Sequence, residues 1–291
     1  NATGFTATPE ADRTAAVVQT QPLDQGDVET FKKGIFSVAV DGLVWEETFL
    51  NVWDPCLRDS GESVAATVRL SPSDYTIAVD GQCWPGRYAM AWQPVFNPWD
   101  GSVIAPVKVG PRWGLARDDE LIWEPGFTQV WHQQVSADGE VVAAIVAPHY
   151  GEFTVAVNGE PWKHRYAVVS DLVLSADGQR AAAVGQAGLS ITLDEKQLTS
   201  QRWQVIVNDH PWTGWYDRVF TPVISPDGHH TAVRVEKNGA WTVLVDDRAY
   251  YRPFSKVWDP IFSPDSSKIL IRAMDGSKMV RIVVPIKDFR A

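Results

Sequence analysis

Ser136-Ala137-Asp138-Gly139, then Val141-Val142-Ala143-Ala144-Ile145-Val146, then Phe153-Thr154-Val155-Ala156-Val157-Asn158-Gly159 and Trp162 form one unit of a repeat. Its opening turn returns as Thr8-Pro9-Glu10-Ala11, Asp59-Ser60-Gly61, Asn97-Pro98-Trp99-Asp100-Gly101, Ser175-Ala176-Asp177-Gly178, Ser225-Pro226-Asp227-Gly228 and Ser263-Pro264-Asp265-Ser266. Aligned on Ala11, Gly61, Gly101, Gly139, Gly178, Gly228 and Ser266, the turns are 50, 40, 38, 39, 50 and 38 residues apart. This spacing gives seven units with a period near 39 and two insertions, at 19–34 and 185–202. A fixed period of this length is the mark of a stacked or circular repeat architecture.

Each unit reads as short strands. The Ala/Val run lacks polar alternation and suits a strand buried on both faces. The alternating strand after it ends in Asp41-Gly42, Asp80-Gly81, Asn158-Gly159, Asn208-Asp209 or Asp246-Asp247. Such pairs accept the positive φ angles of a two-residue hairpin turn. Four strands in about 39 residues make one propeller blade, so the chain reads as all-β, a single seven-bladed propeller of four-stranded antiparallel blades over 1–291. The tail after Met279–Val284 is expected to supply an outer strand. A solenoid is the structural alternative, though its coils are shorter and poorer in hairpin turns.

The aromatic residues keep the same period. Trp45, Trp84, Trp123, Trp162, Trp212 and Tyr250 hold one phase, and Trp53, Trp92, Trp131 and Trp258 a second. Phe36, Tyr75, Trp113, Phe153, Trp203 and Trp241 hold a third, and Phe49, Tyr88, Phe127, Tyr166, Tyr216 and Phe254 a fourth. Aromatics at fixed repeat positions read as packing between blades. Trp99 and Trp215 fall outside the phases and are candidate exposed aromatics.

The Ser-Pro-Asp-Gly turns resemble the WD40-like propeller repeats of the TolB type, although Trp53-Asp54 and Trp258-Asp259 open a strand where true WD40 repeats close one. Thr154–Trp162 and Val257–Asp265 together resemble the tryptophan-rich D-subunit family (TmcD) of the Tmc transmembrane electron-transfer complex of sulfate-reducing bacteria. That resemblance implies a soluble cytoplasmic-side component beside cytochrome and iron–sulfur subunits, with further N-terminal repeats outside this chain.

A formal charge of −10 and the absence of a Lys/Arg cluster argue against nucleic acid as the partner. They leave a basic protein surface and plain solubility as readings. No apolar run approaches the roughly 20 residues of a membrane span, and no basic region followed by an apolar run marks a signal peptide. Cys56 and Cys83 are the two cysteines; they exclude a disulfide framework and suit a reducing compartment, which agrees with the cytoplasmic location that the resemblance implies.

Searching for chemistry finds no Gly-x-Ser-x-Gly elbow, phosphate loop, zinc-binding His pair or haem-attachment motif. The expectation is therefore a non-catalytic docking subunit without a cofactor or metal of its own. Turn aspartates such as Asp138, Asp177 and Asp227 read as turn stabilisers, and His229-His230 as a solvated strand start. The residues after the second-phase position, Asp54, Gln93, His132, Ser170, Thr221 and Asp259, form a candidate polar ring at the mouth of the central channel. A solvated lining and a small-ligand site, catalytic or glycan-binding, both remain open for it. The two insertions, displayed on a rigid scaffold, are candidate docking loops.

Overall fold

The computed structural model describes residues 4–22, 27–187 and 202–289. They form seven antiparallel sheets of four or five strand segments, a seven-bladed β-propeller, with one short α-helix and one 3-10 turn. The chain falls into two compact units, Asn1–Gln133 and Gln134–Ala291.

Blades one to three lie in the first unit. The second blade is typical: Asn51–Leu57, Val64–Ser71, Asp74–Val79 and Gln82–Cys83 pair in chain order. Its Ala/Val strand is buried on both faces through Val64–Val68, as the missing polar alternation requires. Val64, Ala66 and Val68 join Val17, Val38 and Phe49 of the first blade, while Ala65 and Ile77 pack with Val103, Ala105 and Val107 of the third. Alternate side chains of one strand thus fill two cores. In the second unit the same arrangement joins Ala182 and Val205 of the fifth blade to Val233, Val235 and Leu244 of the sixth.

The hairpin residues have a second task. Asp41, Asp80, Asp118, Asn158, Asn208 and Asp246 adopt φ between 46° and 49°. Each side chain accepts a hydrogen bond from the backbone N–H at the start of its blade's second strand: Thr14, Val64, Val103, Val142, Ala181 and Thr231, at 2.8–3.0 Å. One short polar side chain both turns the chain and fixes the strand register. The next residue, where it is Asp, reaches the preceding blade. Asp119 accepts from Gly86 N–H and the Tyr88 hydroxyl, both at 2.7 Å, Asp209 from Lys163 and His164 N–H, and Asp247 from Thr213 N–H.

Third- and fourth-phase aromatics turn out to be bridge partners within a blade: Phe36 with Phe49, Tyr75 with Tyr88, Phe153 with Tyr166, Trp203 with Tyr216, and Trp241 with Phe254. The second phase stacks on the third, with ring centroids 4.2 Å apart for Trp92 and Trp113 and 5.9 Å for Trp53 and Tyr75. Trp84, Trp123, Trp162, Trp212 and Tyr250 of the first phase are buried. Much of the aromatic packing is therefore inside blades as well as between them.

The seventh blade departs from the pattern. Its third strand, Lys278–Pro285, pairs with Lys268–Asp275 over eight residue pairs, and no outer strand follows among the described residues. The tail forms the 3-10 turn Ile286–Asp288 instead of the expected strand, and Phe289 buries its ring against Tyr250, centroids 6.0 Å apart. The last bond of this ladder runs from Ile286 N–H to the Ser267 carbonyl at 3.0 Å, and the chain then enters the turn.

Candidate functional site

The polar positions after the second-phase aromatic sit on β-bulges. In the second blade Trp53 faces Thr67 and Cys56 faces Ala65, so Asp54 and Pro55 oppose one residue. The extra residue swings into the left-handed region: φ is 49° at Asp54, 44° at Gln93, 55° at His132 and 54° at Asp171. Bulges of this kind re-aim a side chain at a strand edge.

Here the structure corrects one position. Ser170 faces Val184 as Trp53 faces Thr67, so Ser170 occupies the aromatic slot, and Asp171 occupies the bulge. The regular spacing of 54, 93, 132 and 171 marks Asp171 in the sequence, but a serine where tryptophan is expected obscures it.

In the first unit Asp54 Oδ2 accepts from Gln93 N–H at 3.4 Å, and Gln133 Nε2 donates to the Gln93 carbonyl. Trp92 Nε1 donates to the Val130 carbonyl at 3.1 Å, which fixes the ring beside Gln93. Asp54 and Gln93 line a cavity of about 630 Å³ with Phe5, Asn51, Trp53 and Cys56. His132 is solvent-exposed.

In the second unit Asp171 accepts from the Thr221 hydroxyl at 2.5 Å and from Ser170 at 2.7 Å. Asp259 pairs with Arg234 at 2.7 Å, and that guanidinium lies 3.9 Å from the Phe220 ring centroid. These carboxylates are engaged by hydroxyls or a guanidinium.

The turn aspartates act as the sequence implies. Ser136, Ser175, Ser225 and Ser263 each donate a hydroxyl to the aspartate two residues on, at 2.5 Å. Those hydroxyl bonds, reinforced by a backbone N–H, hold Asp138, Asp177 and Asp227 below the usual carboxylate range. Asp265, with two serine hydroxyls, falls to about 2. His230 bonds Asp246 at 2.6 Å, and His164 bonds Asp209 at 2.9 Å. Cys56 and Cys83 are free and half-buried, and burial raises both thiols above their ordinary value. Among the described residues no group of three His, Cys, Asp or Glu side chains has metal-binding geometry.

Trp99 is 73% exposed on its turn, where its N–H bonds Asn97 Oδ1 at 2.9 Å. Trp215, the other candidate exposed aromatic, is half-buried. The first insertion holds a feature not read from the sequence, the helix Val28–Lys33. Asp27 caps it by accepting from Thr30 N–H at 3.0 Å, and Glu29 pairs with Lys32. None of its residues is buried, and Val28 and Phe31 are 55% and 36% exposed. Asp27 with Thr30 three residues on is too weak a capping signal to separate from a loop. Of the second insertion, residues 188–201 lie outside the described residues. No described helix is long and apolar enough to cross a membrane.

The fold and these positions define a β-propeller related to several otherwise diverse propeller proteins. The chain is similar over 98% of its length to 76% of a crystal structure of the eukaryotic initiation factor, with a TM-score of 0.54 and 11% identity. It also aligns with the Cps50 (Swd1) β-propeller domain of Myceliophteria thermophila, covering 97% of this chain and 95% of that one at 9% identity and a TM-score of 0.40. TolB from Acinetobacter baumannii aligns over 94% of this chain and 63% of its own, at 13% identity and a TM-score of 0.37. At such identities the likeness concerns fold alone. No family model matches the chain, and no curated protein matches it in sequence.

Proposed function

We propose that this chain is a non-catalytic docking subunit, acting by protein–protein contact within a membrane-associated electron-transfer complex. The observation that carries the reading is the helix Val28–Lys33, which the first blade holds out with Val28 and Phe31 facing solvent. A rigid sheet that displays an uncovered helix, with Val28 and Phe31 exposed among charged neighbours, has the form of a recognition element. The net charge of −10 favours a basic face on the partner. The resemblance of Thr154–Trp162 and Val257–Asp265 to the Tmc D-subunit repeats supports the choice of complex, with cytochrome or iron–sulfur subunits as partners. In this reading the chain lies on the cytoplasmic side and reaches the membrane through those subunits.

The test replaces residues 21–33 with a tight turn. Loop length alters closure entropy only slowly, so the variant is expected to keep its melting temperature. In low-salt pull-downs from native membranes the parent chain recovers cytochrome or iron–sulfur partners and the variant does not. Recovery of no such partner by the parent, or equal recovery by both, overturns the proposal.

The cavity beside Trp53, Asp54 and Gln93 favours a second reading, a propeller enzyme or small-ligand module. Aromatic and polar groups on one wall suit a small polar molecule such as a glycan. Turnover or glycan binding that Asp54→Ala abolishes would establish this alternative.

A further inference from the structure

A cavity of about 600 Å³ opens at the corner of the sixth and seventh blades, and its wall carries Arg248, Lys268 and Lys287. All three are exposed, and none pairs with a carboxylate among the described residues. Arg248 donates one bond, to the Phe289 carbonyl at 3.3 Å. The cavity's acid, Asp246, is already engaged: it accepts from Thr231 N–H at 3.0 Å and pairs with His230 at 2.6 Å and Arg180 at 3.8 Å. Asp265, near Lys268, is likewise taken up by the hydroxyls of Ser263 and Ser267.

The repeat explains why Lys268 is unpaired. Arg13 and His230 stand just before the second strand of their blades, and each pairs with the hairpin acid of the same blade, Asp41 and Asp246. Lys268 holds the same position. Ser263 N–H bonds its carbonyl and its own N–H bonds Ser263 Oγ, as Ser225 and His230 bond each other. The register places Val284 where the acid stands in the other blades, opposite Ile269. The repeat-position cation therefore has no hairpin acid in its own blade, and two further cations, Arg248 and Lys287, line the same cavity. Phe289 and Ile286 supply an apolar flank.

We infer that this cavity binds a small doubly charged oxyanion with an apolar flank, of the phosphate-monoester class. Three cations beside one carboxylate that Arg180 already pairs favour a dianion over a monoanion, and guanidinium and ammonium groups bond phosphate oxygens strongly. The inference stands or falls independently of the docking helix.

The probe is phenyl phosphate, titrated into the full chain by calorimetry at 150 mM KCl, a salt level that screens diffuse surface attraction. One-to-one binding is expected. Lys268→Met and Arg248→Met should each weaken it by about tenfold, the effect of removing one charge-assisted bond. Lys278→Met, at the far end of the third strand, should leave it unchanged. Benzoate, a monoanion on the same ring, should bind more weakly, and equal binding would remove the preference for a dianion. The lysine side chains are exposed, so their variants should fold, which circular dichroism checks. Absence of saturable binding to the folded parent overturns the site. So does an equal loss in Lys278→Met, which would mark general charge attraction.

Discussion

Val245 in the sixth blade and Val283 in the seventh occupy one repeat position, yet they are 1% and 62% exposed. Each is paired to its blade's second strand, with Ala232 and Leu270 respectively. What differs is the surroundings. The third strand of the sixth blade has an outer partner, Arg248–Ala249, and both of its faces are covered near the hairpin. Among the described residues the third strand of the seventh blade has no outer partner, and Met279, Arg281 and Val283 face solvent along it. Valine at this position therefore records the strand's β-forming habit, and burial is set by what packs against it.

Substituting a charge at both positions gives the largest contrast. Val245→Asp should cost about 4 kcal/mol or more, because it buries a carboxylate without a partner. Val283→Asp should change stability by less than about 0.5 kcal/mol. Urea unfolding of the two variants measures the difference; comparable losses would mean that the seventh blade's open face is covered in solution.

Tyr250→Ala and Phe289→Ala compare the true outer-strand aromatic with the ring that takes its place. Each should cost about 3–5 kcal/mol through the cavity it leaves. A Phe289→Ala protein as stable as the parent would show that the 3-10 turn does not close the seventh blade.

Asp246→Ala should cost about 1–3 kcal/mol, because Thr231 N–H loses its acceptor. Faster amide exchange at Thr231, with little change at Ile269 of the seventh blade, would localise the effect.

The smallest effect concerns titration. Ser263→Ala should raise the Asp265 carboxyl from about 2 toward its ordinary 3.8, read by NMR. Since the folded value lies below the unfolded one, the stabilisation is complete above the unfolded value. It fades as pH falls toward about 2 in the parent, and over a narrower range in the variant. An unmoved Asp265 would remove the hydroxyl as the cause.

The blades, hairpins and aromatic phases were readable because each rests on a short-range rule, such as alternation, positive-φ turn chemistry or a fixed period. The same rules ran out where the determinant is distant in sequence. The bond from Thr14 to Asp41 spans the whole first insertion, so turn chemistry accounts for the aspartate without revealing its strand-fixing role. Ser170 misled because aromatic identity, rather than bulge geometry, set the alignment. The tail after Val284, expected to supply an outer strand because each blade needs four, instead turns at Ile286–Asp288 and buries Phe289.

The strand-fixing side chain also bears on chemical ageing. Asn158 stands before Gly159, a sequence prone to hydrolytic loss of the amide nitrogen, yet its side chain fixes the strand through Oδ1, as the aspartates of other blades do. Simple conversion to aspartate there should pass without structural consequence. Asn208 is different, because its Nδ2 also donates to the Gln179 carbonyl at 2.9 Å. Deamidation at that turn would set a carboxylate oxygen against a carbonyl, so the fifth blade, not the fourth, is where an old preparation should begin to loosen.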